Sequence, residues 1–110
     1  MIARLWHGRV PSAKAARYRA FLASHAVPDY RSVPGNHAVH ILERADGEVT
    51  HFVTLTFWES ASAIRAFAGD DISAAKYYPQ DREYLLEFEP TVVHYEVVGG
   101  APSFAPATSS

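Results

Sequence analysis

Histidine offers this chain its widest choice of chemistry, because a neutral imidazole can accept a proton near neutral pH or bind a metal ion. The sequence contains six histidines and no cysteine: His7, His25, His37, His40, His51 and His94. Chelation needs two or three ligands on one side of an element, whereas His37 and His40, three apart on a predicted strand, point to opposite faces. His40 and His51 share a face, but we assign that face to a partner subunit. We therefore predict no metal site.

Two of these histidines, His7 and His37, are predicted to enter a pocket. By strand alternation each shares a face with Thr54 and Trp58, and we expect helices to cover this face. A neutral imidazole there would take a proton from an acidic phenol or orient a substrate carbonyl. His94 joins the cluster if its strand twists that way. The alternative is that these histidines are hydrogen-bonded residues of an ordinary core.

Aromatic side chains make up 13% of the chain and suggest a binding pocket. Between a sheet and its helices they would wall a flat pocket for an aromatic ligand, although the same residues would serve equally as core. Tyr77 and Tyr78 precede Pro79 in the least regular helical stretch, where we expect a mobile rim. We expect Asp81 to cap a helix rather than to catalyse. The candidate wall residues are Phe52, Trp58, Phe67, Tyr77, Tyr78 and Tyr84.

The length and charge of the chain exclude several classes of protein. At 110 residues and 12.1 kDa it supports one hydrophobic core. A net charge of -2 argues against a nucleic-acid partner, and no stretch approaches the roughly twenty apolar residues that span a membrane. No glycine-rich cofactor-binding signature occurs, so we expect no bound cofactor. The lack of cysteine favours a cytoplasmic location.

The elements that would position these residues begin with a strand over residues 2–10. Ser12 is a suitable N-cap for the helix that follows, which carries an apolar stripe at helical spacing. Pro28 is expected to end this helix, because the residue before a proline is pushed out of helical geometry. Residues 29–35 then form a loop.

A β-hairpin is predicted over residues 36–58. Asp46 and Gly47 separate two runs of strand-forming residues and are typical of a two-residue type I′ turn. With these two at the centre of the turn, Leu42 lies opposite His51.

The last part of the chain begins with a helix that Ser60 caps and Gly69 ends. Residues 70–88 are expected to form a short helix and further helical turns, with Phe88 facing inward. Residues 91–98 are β-branched and aromatic and predict the last strand. Residues 99–110 are expected to be a flexible tail, which leaves a single domain over residues 1–98.

This order of elements predicts an α+β, ferredoxin-like fold of the split βαβ type, with a four-stranded antiparallel sheet and helices on one face. The other face of the sheet is expected to be apolar, since one side of the hairpin carries Leu42, Val53, Leu55 and Phe57. An exposed apolar sheet calls for a partner, and a second copy related by a two-fold axis satisfies it. We therefore predict a homodimer.

The sequence resembles the antibiotic-biosynthesis-monooxygenase-like group of dimeric α/β-barrel proteins. The resemblance spans about residues 1–98 and rests on the strand order, the hairpin, and the phrase Leu55-Thr56-Phe57-Trp58-Glu59-Ser60 leading into Ala63-Ile64-Arg65-Ala66-Phe67. The closing phrase His94-Tyr95-Glu96-Val97 adds to it. The group includes small quinone-forming monooxygenases, haem-degrading enzymes and members with no known activity.

The resemblance carries over only some site residues. In the quinone-forming members the tryptophan that ends the third strand lines the substrate pocket, and Trp58 stands there. The pocket asparagine would be Thr54 and the pocket tyrosine would be Ile64, so two polar groups differ. The haem-degrading members need an asparagine on the first strand, but residues 2–10 of this chain contain no asparagine. They also need a histidine at a position where this chain has Lys76-Tyr77-Tyr78.

The resemblance thus implies a dimeric α/β barrel that acts without a cofactor on an aromatic or phenolic small molecule. A non-catalytic ligand-binding or structural dimer is the alternative, and haem binding is a third. If the protein is such an enzyme, His7 or His37 is the predicted catalytic base. The predicted substrate-binding residues are Trp58, Thr54, Phe67, Tyr77, Tyr78 and His94.

Overall fold

Four antiparallel strands form one sheet in the computed structural model, which describes residues 1–101. The strands are β1 (Ile2–Pro11), β2 (Asn36–Asp46), β3 (Val49–Trp58) and β4 (Val93–Glu96), arranged in the order β2-β3-β1-β4. With helices on one face, this is the predicted ferredoxin-like α+β fold. Most of the predicted tail, residues 102–110, lies outside the described residues.

The hairpin turn lies one residue further along the chain than the sequence predicted. Asp46 pairs with Val49, so Gly47 and Glu48 are the two central residues. Gly47 has a φ of 61°, and only glycines have a positive φ within residues 1–101. A type I′ turn needs positive φ at both central positions, whereas type II′ needs it only at the first. The turn is therefore type II′, and the predicted type I′ turn is wrong.

This shift changes the cross-strand pairs but leaves each of these side chains on its predicted face. Leu42 lies opposite Val53 rather than His51. Because the turn moves by one residue on both strands, the two strands slide by whole pleats and the alternation is kept.

The first helical layer does not stop at Pro28. It comprises a 3-10 turn (Ser12–Lys14), helix α1 (Ala15–Phe21), a π-helical turn (Leu22–Ala26) and helix α2 (Val27–Arg31). The predicted end before Pro28 is wrong, because the wider π turn lets a new helix begin with the proline in its first turn, where no amide is needed. As a result Tyr30, which was predicted in a loop, is a buried helical residue.

Helix α3 (Ala61–Ala68) begins and ends as predicted. The Ser60 Oγ accepts a hydrogen bond from the amide of Ala63 at 3.2 Å, and Gly69 forms the C-cap. Ile64 and Phe67 face the core.

The chain between α3 and β4 has little regular structure. It contains a 3-10 turn (Pro79–Glu83), and the predicted short helix after residue 70 is not formed. The amide of Ala75 instead donates to the carbonyl of Pro90 at 3.0 Å, so this segment lies against the chain that leads into β4. Phe88, predicted to face inward, is 46% exposed. We call residues 69–78 the rim.

The two faces of the sheet differ in their cover. The core lies between the sheet and the helical layer and is centred on large side chains such as Trp6, Tyr18, Phe52 and Trp58. The opposite face, which we call the open face, carries exposed apolar side chains that include Leu42, Val93 and Tyr95. Among residues 1–101, no helix has the length and apolar character needed to cross a membrane.

Candidate functional site

Strand β1 places its two sets of side chains differently from the prediction. Trp6 lies opposite Thr54 and is 5% exposed beneath the helical layer, whereas His7 lies opposite Val53 on the open face. The expected position of His7 beside Trp58 is therefore wrong, because alternation gives the helix-covered face to the neighbouring residue, Trp6. The catalytic role of His7 stays a prediction.

The other two predicted histidines also lie apart from one another. His37 is the extra residue of a β-bulge between Asn36 and Ala38, and it is half-buried. The bulge breaks the alternation on which its expected place depended. His94 lies opposite Arg4 on the helix-covered face, and burial, together with Arg4, lowers its pKa.

A small cavity lies between the sheet and the helical layer, and we call this cavity with its walls the cleft. Its volume is ≈ 10 Å³, which is room for about one water molecule. Of the predicted binding residues, Thr54 and Tyr78 line it. The lining also includes Trp6, Tyr18, Tyr30, Lys76 and Asp81.

Asp81 is a buried carboxyl group in this aromatic cleft. It is 2% exposed, and it accepts hydrogen bonds from the hydroxyl of Tyr18 at 3.1 Å and from the amide of Tyr78 at 2.6 Å. The second contact is the cap that the sequence predicted. Burial raises the pKa of Asp81, and the hydrogen bonds from Tyr78 and Tyr18 oppose that rise. A carboxyl group with a raised pKa in a pocket is a candidate acid or base.

The rim closes the cleft through one ionic cluster. Asp29 on α2 accepts a hydrogen bond from the hydroxyl of Tyr78 at 2.6 Å and one from Lys76 Nζ at 3.0 Å. Burial would raise the pKa of Asp29, but these two hydrogen bonds outweigh it and lower the pKa. Burial and the same contact raise the pKa of Tyr78. The cluster therefore ties the rim to the first helical layer.

The remaining predicted wall residues divide between the core and the outer surface. Trp58 is fully buried and donates from Nε1 to Thr56 Oγ1 at 2.8 Å. Phe67 stacks on Tyr30 with ring centroids 4.4 Å apart. Tyr77 packs edge-on against Trp6 and lies outside the cleft, along an open groove of ≈ 480 Å³.

A separate polar chain lies on the open face. His7 Nδ1 is 2.5 Å from Glu89 Oε2, and His7 Nε2 is 2.9 Å from His51 Nδ1. His51 Nε2 is in turn 3.6 Å from Asp46 Oδ2. This chain borders a shallow pocket of ≈ 310 Å³ that Leu42 also lines. No group of three or more metal-ligating side chains occurs within residues 1–101.

Sequence reasoning missed several residues of the cleft. Tyr30 falls in the segment predicted to be a loop, and Tyr18 belongs to the helix after Ser12, for which the sequence predicts only an apolar stripe. Because the sequence predicts His7 beneath the helices, strand alternation wrongly implies that its neighbour Trp6 lies on the other side of the sheet. The sequence signal that pointed to this region was the pair of aromatic residues before Pro79, since Tyr78 does lie at the edge of the cleft.

Comparisons with known proteins identify a family from the sequence and support the fold from a solved structure. Residues 1–75 match the family model described as antibiotic biosynthesis monooxygenase. Among solved structures, a mutant of MhuD, crystallised with two manganese protoporphyrin IX molecules bound per active site, is similar with a TM-score of 0.62. Its sequence is 19% identical, and the match covers 94% of this chain and 100% of that chain, so it supports the fold alone. No curated protein matches the sequence significantly.

Proposed function

The chain belongs to the antibiotic biosynthesis monooxygenase family, and from this premise we propose that it is an oxygenase for a phenolic small molecule that binds in the cleft. The observation that carries the proposal is the buried carboxyl group of Asp81 among the aromatic side chains of the cleft. Aromatic walls favour a flat ligand, and a carboxyl group beside it can accept the phenolic proton.

The reaction needs no cofactor if the substrate itself supplies the electrons. A phenolate is electron-rich and can reduce molecular oxygen, so that a phenol and O₂ give a quinone and water. One oxygen atom enters the ring and the other leaves as water. The protein's contribution is to accept the proton, orient the ring and exclude solvent.

Substrate entry requires the cleft to open, since ≈ 10 Å³ does not hold an aromatic ring. The rim is the segment that must move, because it has little regular structure and its tie to the helical layer is the cluster of Asp29, Lys76 and Tyr78. Opening would expose the wall formed by Trp6 and Tyr30 to the ligand. Stacking of the ligand on these two rings would offset the contacts that the rim loses when it moves.

We place the protein in the cytoplasm as a homodimer that pairs through its open face. Leu42, Val93 and Tyr95 are 48%, 52% and 58% exposed, and all three lie on this face. Burying such side chains against a second copy would remove a large apolar patch from water.

Oxygen uptake with a panel of phenols and hydroxynaphthalenes tests the proposed reaction. We expect uptake with the wild-type protein and a loss of at least about a hundredfold in Asp81→Asn, within the range that a general base supplies. Glu48→Gln is the matched control, because Glu48 is an exposed carboxylate at the hairpin turn, away from the cleft and the rim. Full activity in Asp81→Asn together with its loss in His7→Ala or His37→Ala would return the base to a histidine.

Haem binding is the second candidate, since the similar MhuD structure holds a manganese porphyrin. The residues of this cleft do not fit that group as they stand. Tyr78 is hydrogen-bonded to Asp29 and its pKa is raised, which disfavours the phenolate that would bind iron. Lys76 is paired with the same carboxylate. Addition of haem is therefore expected to give no Soret shift, and a stoichiometric shift would favour haem binding over the oxygenase.

A further inference from the structure

Arg4 is a buried cation that lacks an acidic partner. Its side chain lies on the helix-covered face of β1 and the residue is 1% exposed. Nη2 donates to the carbonyl of Ala74 at 3.0 Å, and Nε is buried with no hydrogen-bond partner. In the part of the chain that the structure describes, no carboxylate forms an ion pair with Arg4.

Burying Arg4 without an acidic partner lowers the stability of the protein when no ligand is bound. A guanidinium group stays protonated in proteins, so burial cannot be relieved by loss of its charge. Buried charges are normally paired, and a buried donor without an acceptor costs about 1–3 kcal/mol. Burial accordingly lowers the pKa of Arg4. The position is therefore suited to an anion that arrives from outside the chain.

The surroundings of Arg4 connect it to the cleft. Its Cζ lies 5.6 Å from the centre of the Phe67 ring, and Lys76 Nζ, at the edge of the cleft, lies 4.2 Å from the same ring. Ala74, whose carbonyl Arg4 holds, belongs to the rim. Movement of the rim would therefore release Nη2 of Arg4 at the moment the cleft opens.

The two carboxyl groups of this region, Asp29 and Asp81, are both bonded to groups other than Arg4. Lys76 is neutralised by Asp29, at 3.0 Å. Asp81 is engaged by Tyr18 and the amide of Tyr78. His94, opposite Arg4, has a buried Nε2 without a hydrogen-bond partner, so it offers a second unused nitrogen beside the unpaired guanidinium.

We infer that the cleft takes an aromatic ligand that carries a carboxylate, with Arg4 as the group that binds this anion. The inference rests on the proposed function and narrows its substrate to an anionic aromatic compound. Arg4 would bind the carboxylate through the N–H groups that are unused or released by the rim, in the paired geometry that guanidinium and carboxylate prefer. The aromatic ring would then lie toward Phe67 and the aromatic wall of the cleft.

Calorimetric titration with 2-naphthoate and 2-naphthamide tests this inference, because the two probes share a ring system and differ in charge. We expect the wild-type protein to bind the carboxylate at least about tenfold more tightly than the amide. Arg4→Gln should abolish this preference, because the carboxylate loses its cationic partner while the amide loses at most a neutral hydrogen bond. Equal affinities in the wild type, or no binding of 2-naphthoate at millimolar concentration, would overturn the inference.

Two further variants keep the result interpretable. Arg9→Gln is the matched control, since Arg9 is an arginine of the same strand that pairs with Glu87 on the other face. It should keep the full preference for the carboxylate. Arg4→Lys retains a positive charge but lacks the planar guanidinium group, so it should keep part of the preference for the carboxylate. This variant tests the role of Arg4 even if Arg4→Gln folds poorly.

Oxygen uptake separates this inference from the proposed reaction. Uptake with neutral phenols but equal binding of the two naphthyl probes would overturn the anion site and leave the oxygenase intact. A clear preference for 2-naphthoate without uptake on any phenol would overturn the oxygenase and support the anion site as a binding site.

Discussion

The carboxyl group of Asp81 is both a cap of the backbone and the base that we propose for the reaction. It caps the 3-10 turn through the amide of Tyr78, and its other oxygen accepts from Tyr18 at the cleft. The sequence identified the capping role from residue type and position, but it could not show the burial that gives the same group chemical interest. Burial depends on the helical layer, which is distant in sequence.

The raised pKa of Asp81 predicts how its contribution to stability depends on pH. Because the folded pKa lies above the ordinary value of 3.8, the folded state holds the proton more tightly than the unfolded state. Stability from this group is therefore complete below pH 3.8 and is lost as the pH rises through the folded pKa. Urea unfolding should show the free energy of unfolding of wild type falling relative to that of Asp81→Asn over this rise. A difference that is constant with pH would contradict the shift.

Gly8 makes a second prediction at the scale of one residue. A Cβ at this position would lie 2.5 Å from Trp6 Cη2 and 2.8 Å from Leu85 Cδ2. Because the Trp6 ring is buried and large, Gly8→Ala is expected to lower the free energy of unfolding by about 1–3 kcal/mol. Gly99→Ala, where a Cβ would meet no atom within 4 Å, is the control and should change it by less than about 0.5 kcal/mol. Thermal or urea unfolding of both variants decides this.

The secondary-structure elements were predicted best where one local signal dominates. Alternation in the hairpin assigned Leu42 and Val53 to one face even though the turn was misplaced by a residue. The predicted end of the first helix at Pro28 is wrong because the π turn that accommodates the proline has no sequence signature. In β1 the alternation was correct, but apolar residues occur on both faces of the strand. The sequence therefore could not say whether Trp6 or His7 lies beneath the helices.

The cap of α3 carries a prediction for one element. Ser60→Ala removes the acceptor for the amide of Ala63 and is expected to cost about 1 kcal/mol of stability. Ser62→Ala, at an exposed position inside the same helix, is the matched control and should be neutral or slightly stabilising. Equal effects of the two substitutions on urea unfolding would show that the cap contributes nothing.

At the scale of the whole molecule, the sheet divides the chain's chemistry between two sides. The helix-covered side holds Asp81 and Arg4. The open face holds the polar side chains that contact one another in the order Glu89, His7, His51 and Asp46. The strand order and the layer arrangement were predictable, since they depend on element order and apolar periodicity. The closure of the cleft was not, because the contact of Lys76 with Asp29 spans 47 positions of sequence.

The proposed dimer predicts the effect of a charge on the open face. Leu42→Glu would bury an unpaired carboxylate at each side of a two-fold interface and is expected to weaken dimerisation by about a hundredfold or more. Ala16→Glu places the same charge on the exposed side of α1 and should leave the dimer unchanged. Sedimentation at micromolar concentration measures both, and a monomeric wild type would contradict the proposal.

The histidine chain on the open face also determines which ring nitrogens carry hydrogen. With both rings neutral, the Glu89 carboxylate accepts from His7 Nδ1, so Nε2 of that ring must accept in its turn. His51 then donates from Nδ1, and its Nε2, which lies 3.6 Å from Asp46 Oδ2 and so beyond hydrogen-bond distance, carries the lone pair. One carboxylate thus selects the tautomer of two imidazoles. Nitrogen-15 spectra should show both rings as the Nδ1–H form, and Glu89→Ala should mix the tautomers of both at once.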